Sequence, residues 1–333
     1  MKALVLRASK GTAQVEEIDA PVPGPTEILV RVGAVALNPV DWIFVYHYPI
    51  AAQEQRVVGS DFAGTVVGVG EALRDNATVD ERTRLGTRVA GFVQGACSIN
   101  DRPGAFAEFV AIPYDLVWRV PDSLSLEQAS SISLNGITAV QTLFGRLGLP
   151  GPFGTVAGAA DAFQGRTAAD GPVNVFIYGA STSLGLYMAQ IVRLAEHTTG
   201  QKVRLIGTAS KARHGLLKQK PYEYDAVVDY RDDNWPEQVR AATEGKGVDI
   251  ATDWIASPKA TPCTGQRARL GRKEGDWRCF EMPQWEDTTL RRCALSPYTA
   301  PRGIVSALRS SILDSRYRQT RGFVNSPLNS ISS

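Results

Sequence analysis

The stretch Gly179-Ala-Ser-Thr-Ser-Leu-Gly185 contains residue types that could bind a phosphate group. An apolar run before it, residues 175–178, predicts a buried strand, and an amphipathic run after it, residues 183–196, predicts a helix. Such a turn directs N–H groups of the helix start at a pyrophosphate, and hydroxyls here replace the middle glycine of G-x-G-x-x-G. This context predicts a dinucleotide site, and a tight turn that binds nothing stays open as the alternative. The binding candidates are Gly179, Ser181, Thr182, Ser183, Leu184 and Gly185.

The end of the next predicted strand, residues 203–208, indicates which dinucleotide would fit. An NAD site usually carries an acidic residue there, which holds the ribose 2′-hydroxyl. Here cations and hydroxyls stand in its place, and they suit a 2′-phosphate, which accepts charge-assisted hydrogen bonds. The candidates are Thr208, Ser210, Lys211, Ala212, Arg213 and His214, with Tyr230 after the third strand. The pattern predicts NADPH over NADH, while a solvated surface pair stays open for Lys211 and Arg213.

Alternating strands and helices must position these groups. The predicted strands are residues 174–178, 203–208, 226–229 and 248–253, and the predicted helices are 183–196 and 235–243. This order implies a parallel sheet with right-handed crossovers, so we expect a Rossmann-like, doubly wound α/β domain over residues 126–258. A capping-type start at Ser125–Gln128 opens its helical first part, and a Gly/Ala/Pro-rich surface loop is expected over 148–173.

The two ends of the chain differ from this central part in composition and pattern. Residues 1–125 contain short β patterns separated by Gly, Pro and Asp, which is typical of a β-barrel-like domain. Residues 259–333 are rich in arginine and poor in aliphatic runs, and they predict no convincing strand ladder. Their best helix candidate is 303–317.

Composition excludes several classes of protein. The 333 residues are 44% hydrophobic and 21% charged with a net charge of +2, which gives no reason to expect a nucleic-acid partner. No apolar run reaches the roughly 18 residues of a membrane span, and the N-terminus predicts a strand rather than a signal peptide. None of the four cysteines is in a C-x-x-C pair, so we expect reduced thiols and a cytoplasmic protein. They are Cys97, Cys263, Cys279 and Cys293.

Several blocks of the chain resemble the medium-chain dehydrogenase/reductases. They are VPGPTEILVRVGAVALNPVDW, VVGSDFAGTVVGVG and YGASTSLG, in that family's order and spacing. Within it, YGASTSLG, TASKAR, VVDYRDD and DWIASP resemble the fungal trans-acting enoyl reductases, which work beside polyketide synthases or hybrid synthase–peptide synthetases. The resemblance covers residues 1–258 and implies a GroES-like β-barrel domain followed by the Rossmann-like NADPH domain.

The resemblance implies hydride transfer. NADPH would reduce the β-carbon of an α,β-unsaturated acyl thioester on a polyketide synthase carrier, and the α-carbon would then be protonated. No residue stands out as the proton donor. Tyr46 and Tyr48 lie in a plausible region, although aromatic packing is the simpler role for them. The family pattern places Val40, Asp41, Trp42 and Ile43 beside the cofactor, and many relatives have Lys where this chain has Ile43. The acyl pocket would be lined by Val140, Gln141, Thr142, Leu143, Phe144, Gly145, Arg146 and Leu147.

The side chains of this sequence do not match the metal ligands of the zinc alcohol dehydrogenases in the same superfamily. A catalytic zinc needs three protein ligands. This chain has Asn38 where those enzymes carry a ligand cysteine, and Ser60 and Asp61 where they carry a His-Glu pair. His47 has no second His or Cys at ligand spacing, so no metal is expected.

After Pro258 the resemblance is lost. One hypothesis is that 259–333 derives from shifted-frame or mis-spliced coding sequence. If the chain is real as written, we expect the Rossmann sheet to lack its last strands. Two further functions stay open. One is a stand-alone, zinc-independent quinone or enone reductase, and the other is an inactive relic that binds only cofactor or partner. The oligomeric state is not determined by the sequence, with a monomer favoured.

Overall fold

The computed structural model describes residues 1–46, 54–76, 80–96, 102–151, 171–255 and 278–281. These residues fall into two compact units, of which the first runs to Ser133 and the second begins at Leu134. The domain limits expected from the sequence, after residues 125 and 258, stay a prediction.

The first unit is built on antiparallel strands. Its strands are β1 (Lys2–Arg7), β2 (Thr12–Glu17), β3 (Glu27–Ala36), β4 (Asp61–Val69), β5 (Arg88–Phe92), β6 (Phe109–Pro113) and β7 (Val117–Arg119). β1 and β2 form a hairpin, and the other five form a sheet in the order β6-β3-β4-β5-β7. Two helices follow strands of this unit, α1 (Pro39–Tyr46) and α2 (Leu126–Ser130).

Alternating burial along β3 and β6 contributes to the core of the first unit. Ile28 and Val30 of β3, Phe62 of β4 and Ile112 of β6 belong to one buried cluster. The predicted capping box is confirmed, since the Ser125 hydroxyl accepts from the Gln128 N–H and the Gln128 side chain accepts from the Ser125 N–H. These two bonds satisfy N–H groups that the start of α2 would otherwise leave unpaired.

The second unit contains a five-stranded parallel sheet. Its strands are β8 (Val173–Tyr178), β9 (Val203–Thr208), β10 (Ala226–Val228), β11 (Ile250–Asp253) and β12 (Arg278–Glu281). The order β10-β9-β8-β11-β12 is 3-2-1-4-5 in the chain order of this unit, which is the doubly wound Rossmann order. The helices are α3 (Ser133–Val140), α4 (Ser183–Thr199), α5 (His214–Lys218) and α6 (Trp235–Ala242), with a π-helical turn at Gln141–Arg146.

β8 is the central strand of this sheet, and all six of its residues are buried. That environment explains the apolar run Val175–Tyr178, since a parallel strand covered on both faces has no polar side. The buried Asn174 amide donates to the Gly247 carbonyl at 2.9 Å. On one face Phe176 stacks on Trp235 of α6 at 5.8 Å between ring centroids.

Most predicted elements of the second unit agree with the structure within a few residues, but the last strand was missed. The sequence reading expected a sheet without its last strands, and this is wrong for β12, which pairs in parallel with β11 from Ile250↔Arg278 to Asp253↔Glu281. Its four residues, Arg-Cys-Phe-Glu, carry too little pattern to predict a strand, and pairing with β11 gives them their conformation. The rest of 256–333, with the helix expected at 303–317, and most of the loop expected at 148–173 lie outside the described residues.

In the part of the chain that the structure describes, no helix combines the length and apolarity needed to cross a membrane.

The stability of the first unit should depend on the side chains that β4 buries in the sheet core. Replacing Phe62, which is fully buried, by alanine leaves a cavity in the sheet core and should lower the free energy of unfolding by about 3–5 kcal/mol. Val67→Ala, on the same strand but 38% exposed, is the matched control and should cost about 1 kcal/mol or less. Urea unfolding of the full chain measures both, and equal losses would contradict the assignment of the inward face.

Candidate functional site

The turn after β8 is closed by a threonine hydroxyl. Gly179 has φ +87°, a left-handed conformation that favours glycine. The Thr182 hydroxyl donates to the Gly179 carbonyl at 2.8 Å and accepts from the Gly185 N–H at 3.1 Å, so that Thr182 is the N-cap of α4. The hydroxyl thus stabilises the turn without a middle glycine, and Ser183 stands exposed at the first position of the helix.

The second glycine allows α4 to approach β8 closely. A Cβ on Gly185 would lie 2.5 Å from the Gly179 carbonyl oxygen and 2.7 Å from that of Ala180, distances that no side chain tolerates. The buried Tyr224 hydroxyl donates to the Gly185 carbonyl at 3.1 Å, and burial raises the pKa of Tyr224. The residues present therefore fit a dinucleotide, because the glycine-lined backbone leaves the helix N-terminus open to a pyrophosphate.

Three strand ends meet at this edge of the sheet. The Gly179 N–H donates to the Thr208 hydroxyl at the end of β9, at 3.1 Å. On the other side, Ile255 follows β11, is 49% exposed, and would lie 3.0 Å from a Cβ on Gly179. Gly179 and Ile255 thus flank the switch point between β8 and β11, where ligands of doubly wound sheets bind. The sequence reading missed Ile255, because the strand order that brings it to Gly179 is a property of the sheet.

The predicted 2′-phosphate candidates lie on two neighbouring loops. Lys211 to Arg213 form a 3-10 turn after β9, with both basic side chains exposed, and Tyr230 follows β10 at 45% exposure. The Asp229 carboxylate accepts the N–H of Lys211 at 3.1 Å and that of Arg231 at 3.0 Å, and it joins the two loops. The Arg231 guanidinium lies 5.4 Å from the centre of the Tyr230 ring. Sequence reasoning overlooked Asp229 and Arg231, although both stand in the VVDYRDD block.

In the first unit, polar side chains around the start of α1 form a hydrogen-bonded network. Asp41 accepts the Asn38 N–H at 2.8 Å and the Ser60 hydroxyl at 2.6 Å. The Asn38 amide donates to the fully buried Asp61 at 2.9 Å. Burial raises the pKa of Asp41, and the hydrogen bonds from Ser60 and Asn38 act against that rise. Asp41 therefore holds the loop before α1 to Ser60.

The other residues of the predicted cofactor segment differ in exposure. Trp42 is 43% exposed and Ile43 is buried. Tyr46, at the end of α1, is 65% exposed, which argues against the packing role considered for it. His47 and Tyr48 lie outside the described residues. A cofactor role for Val40 to Ile43 stays a prediction.

The predicted acyl-pocket segment follows α3 as a π-helical turn. The Leu147 N–H donates to the Thr142 carbonyl at 2.9 Å, an i→i+5 bond of the kind that often marks functional sites. Leu143 and Phe144 are buried, while Gly145 faces open space, with no atom within 4 Å of an added Cβ. Residue spacing did not predict the π turn, because apolar periodicity does not distinguish it from an α-helix. The pocket assignment stays a prediction.

Among the described residues, no group of three or more His, Cys, Asp and Glu side chains is placed to hold a metal ion. The expectation of a zinc-free enzyme rests on the side chains at positions 38, 60 and 61, which are all committed to the hydrogen bonds of the network.

Gly185→Ala should weaken dinucleotide binding at least about tenfold, since the added methyl displaces the turn from the helix N-terminus. Gly215→Ala is the matched control, because nothing lies within 4 Å of its Cβ. Titration of nicotinamide fluorescence measures both variants. Unchanged binding by Gly185→Ala would show that the turn does not hold the dinucleotide.

The free energy of unfolding of the Asp41→Asn variant should increase relative to that of wild type as pH rises above 3.8, the ordinary pKa of the Asp41 carboxyl group. In the wild type the folded-state pKa is raised, so the protonated form contributes stability at low pH that is lost as Asp41 ionises. Melting temperatures between pH 4 and 8 measure the difference. Asp122→Asn, at an exposed position, controls for the change in net charge. A difference between Asp41→Asn and wild type that does not vary with pH would contradict the assignment.

Sequence comparison identifies relatives along most of the chain. The alcohol dehydrogenase GroES-like domain family matches residues 24–122. The trans-enoyl reductase traG of Penicillium crustosum is 34% identical over 270 residues, which are 81% of this chain and 67% of that protein. The trans-enoyl reductase mycC of Thermothelomyces thermophilus is 32% identical over 295 residues, 87% of this chain and 73% of that protein. Because 87% of 333 residues exceeds 258, the likeness continues beyond residue 258, where the sequence reading ended it.

Solved structures share the fold. CurK enoyl reductase superposes with a TM-score of 0.65 over 93% of this chain and 86% of that one, at 16% identity. A mycobacterial protein solved in complex with NADPH is 27% identical, with a TM-score of 0.54 over 77% of this chain and 66% of that one. The sequence relatives and the doubly wound sheet with its glycine turn lead to one conclusion: the chain belongs to the trans-enoyl reductases of the medium-chain dehydrogenase/reductase superfamily, which are oxidoreductases that use a nicotinamide cofactor.

Proposed function

We propose that this protein is an NADPH-dependent, trans-acting enoyl reductase of polyketide assembly. The observation that carries the proposal is the identity of 34% and 32% with two trans-enoyl reductases over 81% and 87% of this chain. Its substrate is an α,β-unsaturated acyl thioester held on the carrier of a polyketide synthase or a hybrid synthase–peptide synthetase. A monomer and a cytoplasmic location are part of the same proposal.

The second unit holds the dinucleotide in this proposal. The helix N-terminus at Thr182 and Ser183 faces the pyrophosphate, with N–H groups that have no carbonyl partner inside α4. Gly185 allows α4 to pack against the end of β8, because a Cβ there would lie 2.5 Å from the Gly179 carbonyl oxygen. The end of β11, at Ile255, lies at the switch point and is a candidate contact on the other side of the dinucleotide.

Charge supports NADPH over NADH. Lys211 and Arg213 are exposed cations directly after β9, where a NAD site usually has a carboxylate. The nearest acidic residue at the neighbouring strand end, Asp229, is 4% exposed and already accepts two backbone N–H groups. It is therefore poorly placed to receive a ribose hydroxyl, and the exposed cations suit a 2′-phosphate.

The chemistry divides between cofactor and chain. Bound NADPH supplies a hydride to the β-carbon of the enoyl thioester, and the α-carbon gains a proton. The chain binds and orients the reactants, which lowers the entropic part of the barrier. We assign this role to the segments Val40–Ile43 and Val140–Leu147, and the group that delivers the proton is not identified.

A quinone reductase is the second candidate. It is favoured by the structural likeness to a mycobacterial quinone oxidoreductase, at 27% identity and a TM-score of 0.52. Such an enzyme would reduce a free small molecule and need no carrier-bound thioester.

Substrate and cofactor assays distinguish the candidates. With NADPH, the purified chain should reduce a crotonyl thioester and leave a free quinone largely unreacted, as followed by nicotinamide absorbance. Fluorescence titration should show NADH binding at least about tenfold weaker than NADPH, equivalent to about 1.4 kcal/mol. Turnover of the quinone alone would favour the second candidate. Binding of neither nucleotide by a protein folded by circular dichroism would contradict the enzymatic proposal for this chain.

A further inference from the structure

The Asp229 carboxylate is the only side chain that the described hydrogen bonds show joining the β9 loop to the β10 loop through backbone N–H groups. One oxygen accepts from Lys211 at 3.1 Å, and the other accepts from Arg231 at 3.0 Å. The residue is 4% exposed at the end of β10. A buried ionised carboxylate with two backbone donors is a rigid connection, because loss of either donor would leave one carboxylate oxygen without its hydrogen bond.

This connection sets where the predicted phosphate contacts stand. Lys211 and Arg213 belong to the loop on one side of Asp229, while Tyr230 and Arg231 belong to the loop on the other. The Arg231 guanidinium lies over the Tyr230 ring at 5.4 Å and its Nε is 4.0 Å from Asp229. Asp229, itself negative, therefore joins two loops that together carry three cations and a phenol.

We infer that Asp229 is the positioning residue of the 2′-phosphate site, which holds the Lys211 loop and the Tyr230–Arg231 loop together so that their cations face one phosphate. The inference rests on the proposed use of NADPH. It also assigns Arg231, which is 63% exposed, as a further cation of that site.

A positioning role and a purely electrostatic role for Asp229 predict opposite effects of its removal on phosphate binding. A negative charge beside a phosphate repels it, so removal of Asp229 would tighten binding if charge alone mattered. If Asp229 acts by holding the loops, its removal weakens binding although a repulsive charge is lost. The neighbouring Asp232 is the matched control, since its carboxylate lies 3.8 Å from the Lys211 ammonium and no described hydrogen bond links it to a backbone N–H of either loop.

The test uses the full chain and two probes that lack the nicotinamide half, 2′,5′-ADP and 5′-AMP, measured by calorimetry. Asp229→Asn should weaken 2′,5′-ADP binding about fivefold or more and change 5′-AMP binding little, because an amide can accept only one of the two N–H groups. Asp232→Asn should bind 2′,5′-ADP as tightly as wild type or more tightly. Asp229→Glu, which keeps the charge but moves the carboxylate, should also bind 2′,5′-ADP more weakly than wild type. This variant replaces Asp229→Asn in the comparison if the asparagine variant does not fold.

Hydrogen exchange in the free protein tests the connection itself. The amides of Lys211 and Arg231 should exchange faster in Asp229→Asn, while the Leu205 amide, which donates to Asp225 at 2.7 Å, should not change. Retained or tighter 2′,5′-ADP binding by Asp229→Asn would overturn the inference, as would equal losses for both probes, which indicate general damage. Wild-type protein that binds both probes equally would instead overturn the proposed NADPH use, and the inference with it.

Discussion

The second unit depends on a contact between two stretches of backbone. The first turn of α4 lies against the end of β8 with no side chain between them, since a Cβ on Gly185 would be 2.5 Å from the Gly179 oxygen. This approach allows Thr182 to bridge Gly179 and Gly185 with one hydroxyl. It also explains the buried Tyr224, which donates to the Gly185 carbonyl and packs where Gly207 provides room.

The strand order brings residues from other strands next to the turn after β8. Since β9 and β11 both flank β8, the turn after β8 is bordered by Thr208 on one side and by Ile255 on the other. β10 lies beyond β9 and adds Asp229 with its two loop contacts. Residues far apart in the sequence thus meet at one sheet edge, because parallel strands all present their carboxyl ends there.

In the first unit, buried polar side chains around the start of α1 bind one another. Asn38, Asp41, Ser60 and Asp61 bind one another in a buried network rather than presenting donor atoms to a ligand. Buried polar groups that satisfy each other stabilise one conformation, while the loss of a single member leaves its partners unpaired. The resemblance seen in the sequence implies that Asn38, Ser60 and Asp61 stand where zinc alcohol dehydrogenases carry ligands, and in this chain these three side chains take part in the buried network.

The sequence by itself determined the residues with strong local patterns. The buried run of β8, the glycines and hydroxyls of the following turn, the strand at residues 203–208 and the capping box at Ser125 were all predictable, because local spacing and side-chain chemistry define them. The absence of a carboxylate after β9 likewise followed from residue types alone. Tertiary structure decided what depends on pairing across the sheet. β12 has only four residues, and its strand conformation comes from pairing with β11. The place of Ile255 over Gly179 and the bridge at Asp229 needed the strand order, because hydrogen bonds and close contacts between distant segments leave no periodic signal in the chain.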